Sequence, residues 1–139
     1  MQKVFEYGIV FLIGSVGYAL VELLWRGRTH WTMMLTGGAC LALIYLIQRR
    51  YPNAPRWKWC IVGMLVITIF ELAVGFLVNI LLGWAVWDYS RLPLNLFGQI
   101  CPLYSMLWFW LCLPVTHFCA WLERLMGNIF PTKKKRLSM

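Results

Sequence analysis

The chain has 139 residues, 61% of them hydrophobic and 13% charged, with a net charge of +8. That apolar share exceeds the roughly 45–50% of a soluble domain and excludes one; the length allows a single domain. Basic residues gather at the ends of apolar runs and form no stripe or patch, which excludes a nucleic-acid surface and leaves orientation and attraction to anionic headgroups as their roles.

In chain order, the first apolar run is Tyr7–Leu24. Lys3 precedes it, but Glu6 and Glu22 and the lack of an A-x-A-like site argue against a cleaved signal peptide. Arg26–His30 joins it to a second run, Trp31–Ile47, short but sufficient for a thin bilayer. Gln48–Lys58, with Pro52 and Pro55, leads to Trp59–Leu82. That third run has 24 residues, about 36 Å as a helix, so it tilts or emerges at one end. Gly83–Pro102 is the longest connection and holds most of the polar variety. The last run is Leu103–Leu122, with Pro102 in its first turn and Pro114 inside, where a kink is expected.

The expected fold class is an all-α membrane protein with four transmembrane helices. Residues 1–139 form one domain, and 126–139 a basic cytoplasmic tail with the run Lys133–Arg136. Four spans put both termini on one side. Ten basic residues lie on that side and three (Arg26, Arg28 and Arg91) on the other. The positive-inside rule thus places both termini in the cytoplasm. Trp25, Trp31, Trp84, Trp87 and Tyr89 fall at the outer interface, and Trp57, Trp59 and Trp121 at the inner one.

Glu71 stands near the middle of the third run, with Gly75 and Asn79 at i+4 and i+8 on the same face. A carboxylate there costs about 2.5–3.5 kcal/mol on insertion scales, so it is expected to face other helices or a wet cavity. Gly38 and Ala42 form a small-x-x-x-small pair, and close packing of the second and third helices around the Glu71 stripe is expected. Glu22 and Arg26 are one helical turn apart and can pair. His30 starts the second run, and Asp88, Asn95 and Gln99 lie in the long connection. The candidate pocket set is therefore Glu71 and Asn79 as floor, with Glu22, Arg26, His30, Asp88, Asn95 and Gln99 as mouth. Pro93 lies within Leu92–Ile100, which could be an interfacial or re-entrant segment, with Asn95 and Gln99 then sharing a face. Alternatively, Asp88 and Ser90 only shape a turn. His117, three residues after Pro114, is expected to bond backbone near the kink.

Cys40, Cys60, Cys101, Cys112 and Cys119 make no C-x-x-C pair and read as packing residues. No metal site or cofactor is expected, and no catalytic residue is assigned, because no nucleophile motif or phosphate-cradling loop is present.

Two strings carry a resemblance. The first is Glu22-Leu-Leu-Trp25-Arg26-Gly27-Arg28-Thr29-His30-Trp31-Thr32-Met33 with Gly37-Gly38. The second is Glu71-x-x-x-Gly75-x-x-x-Asn79, then Trp87-Asp88-Tyr89-Ser90, Pro93, Asn95 and Gly98-Gln99-Ile100-Cys101. Together the chain resembles the family labelled putative ABC-transporter type IV, the CmpB-type permeases, and vertebrate transmembrane protein 229 is similar. The resemblance implies a permease subunit without naming a substrate. Longer members carry a G-P-x-x-P-I-Y-G-like stretch where this chain has Thr29–Met33. The Gln48–Lys58 loop is short for receiving a nucleotide-binding subunit.

The expected function is a small permease-like protein of the cell membrane with an outward-facing polar pocket. Its expected partners are the lipid bilayer, a second copy in a homodimer or small oligomer, and a transporter subunit, with no nucleic acid. Two alternatives stand beside it: a membrane-embedded enzyme on a lipid or polyprenyl-linked substrate, and a non-catalytic assembly subunit.

Overall fold

The computed structural model describes residues 1–130. Four helices, α1 (Gln2–Arg26), α2 (Trp31–Arg50), α3 (Arg56–Gly75) and α4 (Pro102–Ile129), make up the fold, and each is long and apolar enough to cross a membrane, α3 together with its extension. The chain is all-α, and no strand occurs among the described residues. The helices run past the apolar runs at most ends. Residues 126–129, expected in the tail, are the last turn of α4, and Lys133–Arg136 lies outside the described residues.

Local chemistry sets the ends. Gly27 closes α1 with φ 69°, a left-handed conformation that glycine adopts without a Cβ clash, and its N–H bonds Leu23 O. His30 caps α2: its Nδ1 accepts the Thr32 N–H at 3.3 Å. Pro55 precedes α3, and Pro102 opens α4 where its missing N–H is harmless. Beyond Gly75, α3 widens into a π-helical turn, Phe76–Leu81, which Gly83 ends at φ 65°. Residues 83–101 then form a folded cap over that end of the bundle. Positive φ at Leu94, Phe97 and Gly98 folds 92–100 into turns, so Asn95 and Gln99 do not share a helical face as expected.

The helices pair by twos. α1 packs along α2, α3 along α4, and α2 joins the pairs. The glycines of α2 decide the first contact. A Cβ on Gly38 would lie 2.7 Å from Phe11 O and collide with Ser15 Oγ, and one on Gly37 would collide with Tyr18. Gly14 answers from α1, where a Cβ would meet Gly37 O at 2.8 Å. The small residues of α2 therefore face α1, not α3 as expected. They belong to the approach of two helices in lipid, where close van der Waals packing replaces the hydrophobic effect. Along α1 the opposite face, including Leu12, Val16 and Leu20, is exposed, as a lipid surrounding requires.

α1 and α4 do not pack closely. Large side chains bridge them: Phe5 to Phe130 (ring centroids 5.7 Å) at the terminal end, Tyr18 to Trp108 (6.1 Å) higher up, and Trp25 Nε1 to Tyr104 Oη (3.4 Å) under the cap. At the terminal end the buried Glu6 accepts from Tyr45 Oη and pairs with Arg49, tying α1 to α2. Glu6→Leu would leave the Tyr45 hydroxyl buried without its acceptor. An expected loss of about 1–3 kcal/mol would show as an earlier unfolding transition in detergent; an unchanged transition would mean that water takes over both donors.

The five cysteines are free and buried, and several of them line the core with Ile44, Ile67 and Leu122. Cys112 fits against Gly63, where a Cβ would come within 2.5 Å of its sulfur. α4 continues through Pro114, and Thr116 Oγ1 and His117 Nδ1 both donate to Leu113 O, at 2.9 and 2.8 Å.

Candidate functional site

Glu71 is 2% exposed. α3 turns it toward α4 and the cap. Its Oε2 accepts the indole N–H of Trp108 at 2.9 Å, and its Oε1 accepts the Tyr89 hydroxyl at 3.3 Å. A membrane-embedded acid thus has two donors, one from a helix and one from the cap, and each of its oxygens is used without a cation in direct contact.

Asn79 and Gln99 hold the cap in place. Asn79 Nδ2 donates to Gln99 Oε1 at 2.7 Å, while Asn79 Oδ1 accepts the Val86 N–H at 2.7 Å. Gln99 Nε2 donates to Phe97 O, and the Trp87 indole donates to Gln99 O at 3.0 Å. The cap lies so close to α3 that a Cβ at Gly75 would stand 2.5 Å from Gln99 Oε1 and 2.8 Å from the Trp87 ring. Gly75 is the position where the cap rests on the helix. Replacing Asn79 by Leu removes two bonds and orphans the Val86 N–H. An expected cost of about 2–4 kcal/mol should appear as faster hydrogen exchange over residues 84–100; exchange like the wild type would show that the cap is held by other contacts.

Beneath the cap, between α1 and α4, is a cavity of about 170 Å³. Its walls include Tyr18, Trp25, Trp87, Tyr89, Tyr104 and Trp108, with Glu22 and Arg26 the charged residues among its lining. Tyr89 and Tyr104 stack at 4.4 Å, and Tyr104 meets Trp108 at 6.3 Å, so the rings form a continuous wall. Arg26 is committed: Nε donates to Glu22 Oε2 at 2.8 Å, Nη2 pairs with the same oxygen, and Nη1 donates to Val86 O at 3.2 Å. A second, more apolar cavity of about 340 Å³ lies lower between α1 and α4 and shares Tyr18, Val21 and Leu111 with the first. Glu71 lines this lower one, together with Gly14, Gly17 and Pro114. The acid therefore sits at the junction: its donors Tyr89 and Trp108 wall the upper space and its own side chain borders the lower.

The structure brings Glu71, Glu22 and Arg26 to these cavities and places Asn79 and Gln99 in the latch beside them. It puts His30 elsewhere, capping α2 with Nδ1 2.7 Å from Thr32 Oγ1 and its ring among Trp31 and Trp84. Asp88 and Asn95 shape the cap itself. Asp88 Oδ1 accepts the Ser90 N–H at 2.9 Å, and this bond holds its carboxyl below the usual carboxylate range. Asn95 bonds Ser90 O, Leu92 O and the Gly98 N–H. No cluster able to hold a metal ion occurs among the described residues.

The sequence analysis assigned no role to Tyr18, Tyr104 and Trp108. A signal was there. Tyr18 lies one turn before Glu22, and Tyr104, Trp108 and Leu111 recur at helical spacing on one face of α4.

A family model described as "Putative ABC-transporter type IV" matches residues 9–138. No curated protein and no solved structure matches the chain, so the similarity to transmembrane protein 229 finds no support there.

Proposed function

Since the chain belongs to the putative ABC-transporter type IV family, a family of transporter-type membrane proteins, we propose that it is a small permease. Its site is the pair of joined cavities between α1 and α4. The observation that supports this most is the placement of Glu71, an acid held in apolar surroundings by Tyr89 and Trp108 where the two cavities meet. Intramembrane acids that face a cavity mark pathways for ions and polar solutes.

In this reading both termini are cytoplasmic, the cap is on the outer face, and the membrane is the cell membrane. The pocket candidates take distinct roles: Glu71, Glu22 and Arg26 meet the solute, Asn79 and Gln99 latch the cap, and His30, Asp88 and Asn95 shape the outer surface. Glu22 is engaged by Arg26 and His30 by Thr32, so acid–base chemistry on a lipid has no free pair to use. The gap between α1 and α4 favours a homodimer or small oligomer that closes it from the side. α2 and α3 are joined by the short turn of residues 51–55, which offers no helix for a nucleotide-binding subunit, so transport driven by a solute or ion gradient fits the chain better.

A permease must open its site to each side in turn. Leu107 lines the upper cavity and the native cysteines are buried. Leu107→Cys is expected to react with a membrane-impermeant maleimide in both right-side-out and inverted vesicles. Reaction from one side alone, or from neither, would overturn the permease reading.

A further inference from the structure

Resting on that reading, we propose that the solute is a hydrophobic organic cation: an alkylated ammonium whose head lies in the aromatic cavity and whose apolar tail runs into the lower one. Three features of the site select this class.

The first is the wall. Six aromatic side chains (Tyr18, Trp25, Trp87, Tyr89, Tyr104 and Trp108) surround one cavity. An aromatic cage is the means by which proteins hold quaternary ammonium groups, through the negative faces of the rings. Such a head cannot donate hydrogen bonds, so it asks for rings and a nearby negative charge and not for a set of acceptors.

The second is charge. The ionisable acids and bases at the cavities are two carboxyl groups, Glu22 and Glu71, against one cation, Arg26. Arg26 already uses Nε, Nη1 and Nη2 on Glu22 and Val86 O. A phosphate or carboxylate ligand would have to share a guanidinium that already gives three of its five N–H donors, and would face two carboxyl groups. A hydrated metal cation would need a shell of oxygen ligands that these aromatic walls do not supply. Glu71 is the carboxyl without a cationic partner in contact, and an ammonium held by Tyr89 and Trp108 would be its counter-ion.

The third is shape. A cavity of about 150 Å³ is enough to accept benzene, so the upper space of about 170 Å³ suits a trimethylammonium head. The lower space of about 340 Å³ is walled by Ile13, Ile44, Val115 and Phe118 among others and joins the upper at Tyr18, Val21 and Leu111. A ligand that fills both has a compact cationic end and an apolar chain.

The test uses the full chain in choline-free nanodiscs with hexyltrimethylammonium as probe, titrated calorimetrically beside hexanesulfonate and hexylphosphocholine. The cation should bind, and the sulfonate should bind at least about tenfold more weakly. Glu71→Gln should weaken the cation about tenfold or more. Tyr104→Leu should weaken it about 3- to 30-fold, the range of a cation–π contact, while Tyr104→Phe, which keeps the ring, should not. Equal binding of the sulfonate, or cation binding indifferent to both Glu71→Gln and Tyr104→Leu, would overturn the assignment. Hexylphosphocholine binding as tightly as the free cation would overturn it too, giving the site to choline lipids. If the cation fails to bind while Leu107→Cys still labels from both sides, the solute class falls and the permease reading stands. One-sided labelling with intact cation binding removes the permease reading and keeps the ligand class.

Discussion

Gly38→Ala is expected to lower stability by about 1–3 kcal/mol, and Gly38→Leu to abolish recovery of folded protein. The added Cβ would stand 2.7 Å from the backbone oxygen of Phe11 and collide with Ser15 Oγ. The Ser15 hydroxyl can rotate aside, but the Phe11 oxygen is backbone and cannot, so α1 and α2 would have to separate. In lipid, nothing apolar is gained by pressing helices together again. Gly17 and Gly8 are the controls: a Cβ at either meets nothing within 4 Å, and alanine there should be tolerated. Thermal unfolding followed by size-exclusion monodispersity in detergent separates the cases. Equal tolerance at Gly38 and Gly17 would mean that the α1–α2 contact is looser than described. Such a result would also remove the scaffold that holds Tyr18 and Glu22 at the cavity.

Glu71→Leu is expected to leave the protein folded and to remove its function. Two terms oppose each other in stability. The Trp108 indole N–H and the Tyr89 hydroxyl lose their acceptor, about 1–3 kcal/mol for each donor that stays buried and unpaired. A carboxyl in apolar surroundings is replaced by a hydrocarbon side chain, a gain of similar size. The net shift should therefore be small, while hexyltrimethylammonium binding and two-sided labelling at Leu107→Cys disappear. A packing role predicts the reverse pattern: lower stability with labelling intact. A residue whose removal hardly touches the fold but ends the activity is one retained for the site and not for the scaffold.

The spans were legible because lipid imposes length and hydropathy directly: Tyr7–Leu24 and Leu103–Leu122 fall inside α1 and α4, and Pro102 begins α4 as its missing N–H dictates. The inward turn of Glu71 was legible for the same reason. Partner choice was not. Gly38 announces close approach, but a spacing along one helix cannot say which neighbour approaches, and the neighbour is α1. Asn79 and Gln99 were visible as polar residues, yet their pairing depends on the π-helical turn at Phe76–Leu81 and on how the cap folds back. Neither leaves a periodic trace. The aromatic wall was hidden most thoroughly. Tyr and Trp are common at membrane interfaces, so Trp25 and Trp87 read as anchors until α1, the cap and α4 place them around one space.

A permease built this way requires Glu71 to border an accessible space between α1 and α4 instead of being sealed in the core. Carbodiimide modification reads this directly. Dicyclohexylcarbodiimide dissolves in the bilayer and reacts with carboxyl groups it can reach, and peptide mass spectrometry locates the adduct. Glu71 should be modified in membranes, with the adduct suppressed by hexyltrimethylammonium and absent in Glu71→Gln. Glu123, partly exposed toward the end of α4, is the control: an unmodified Glu71 in a sample where Glu123 has reacted would mean that the acid is sealed and the cavity beside it closed.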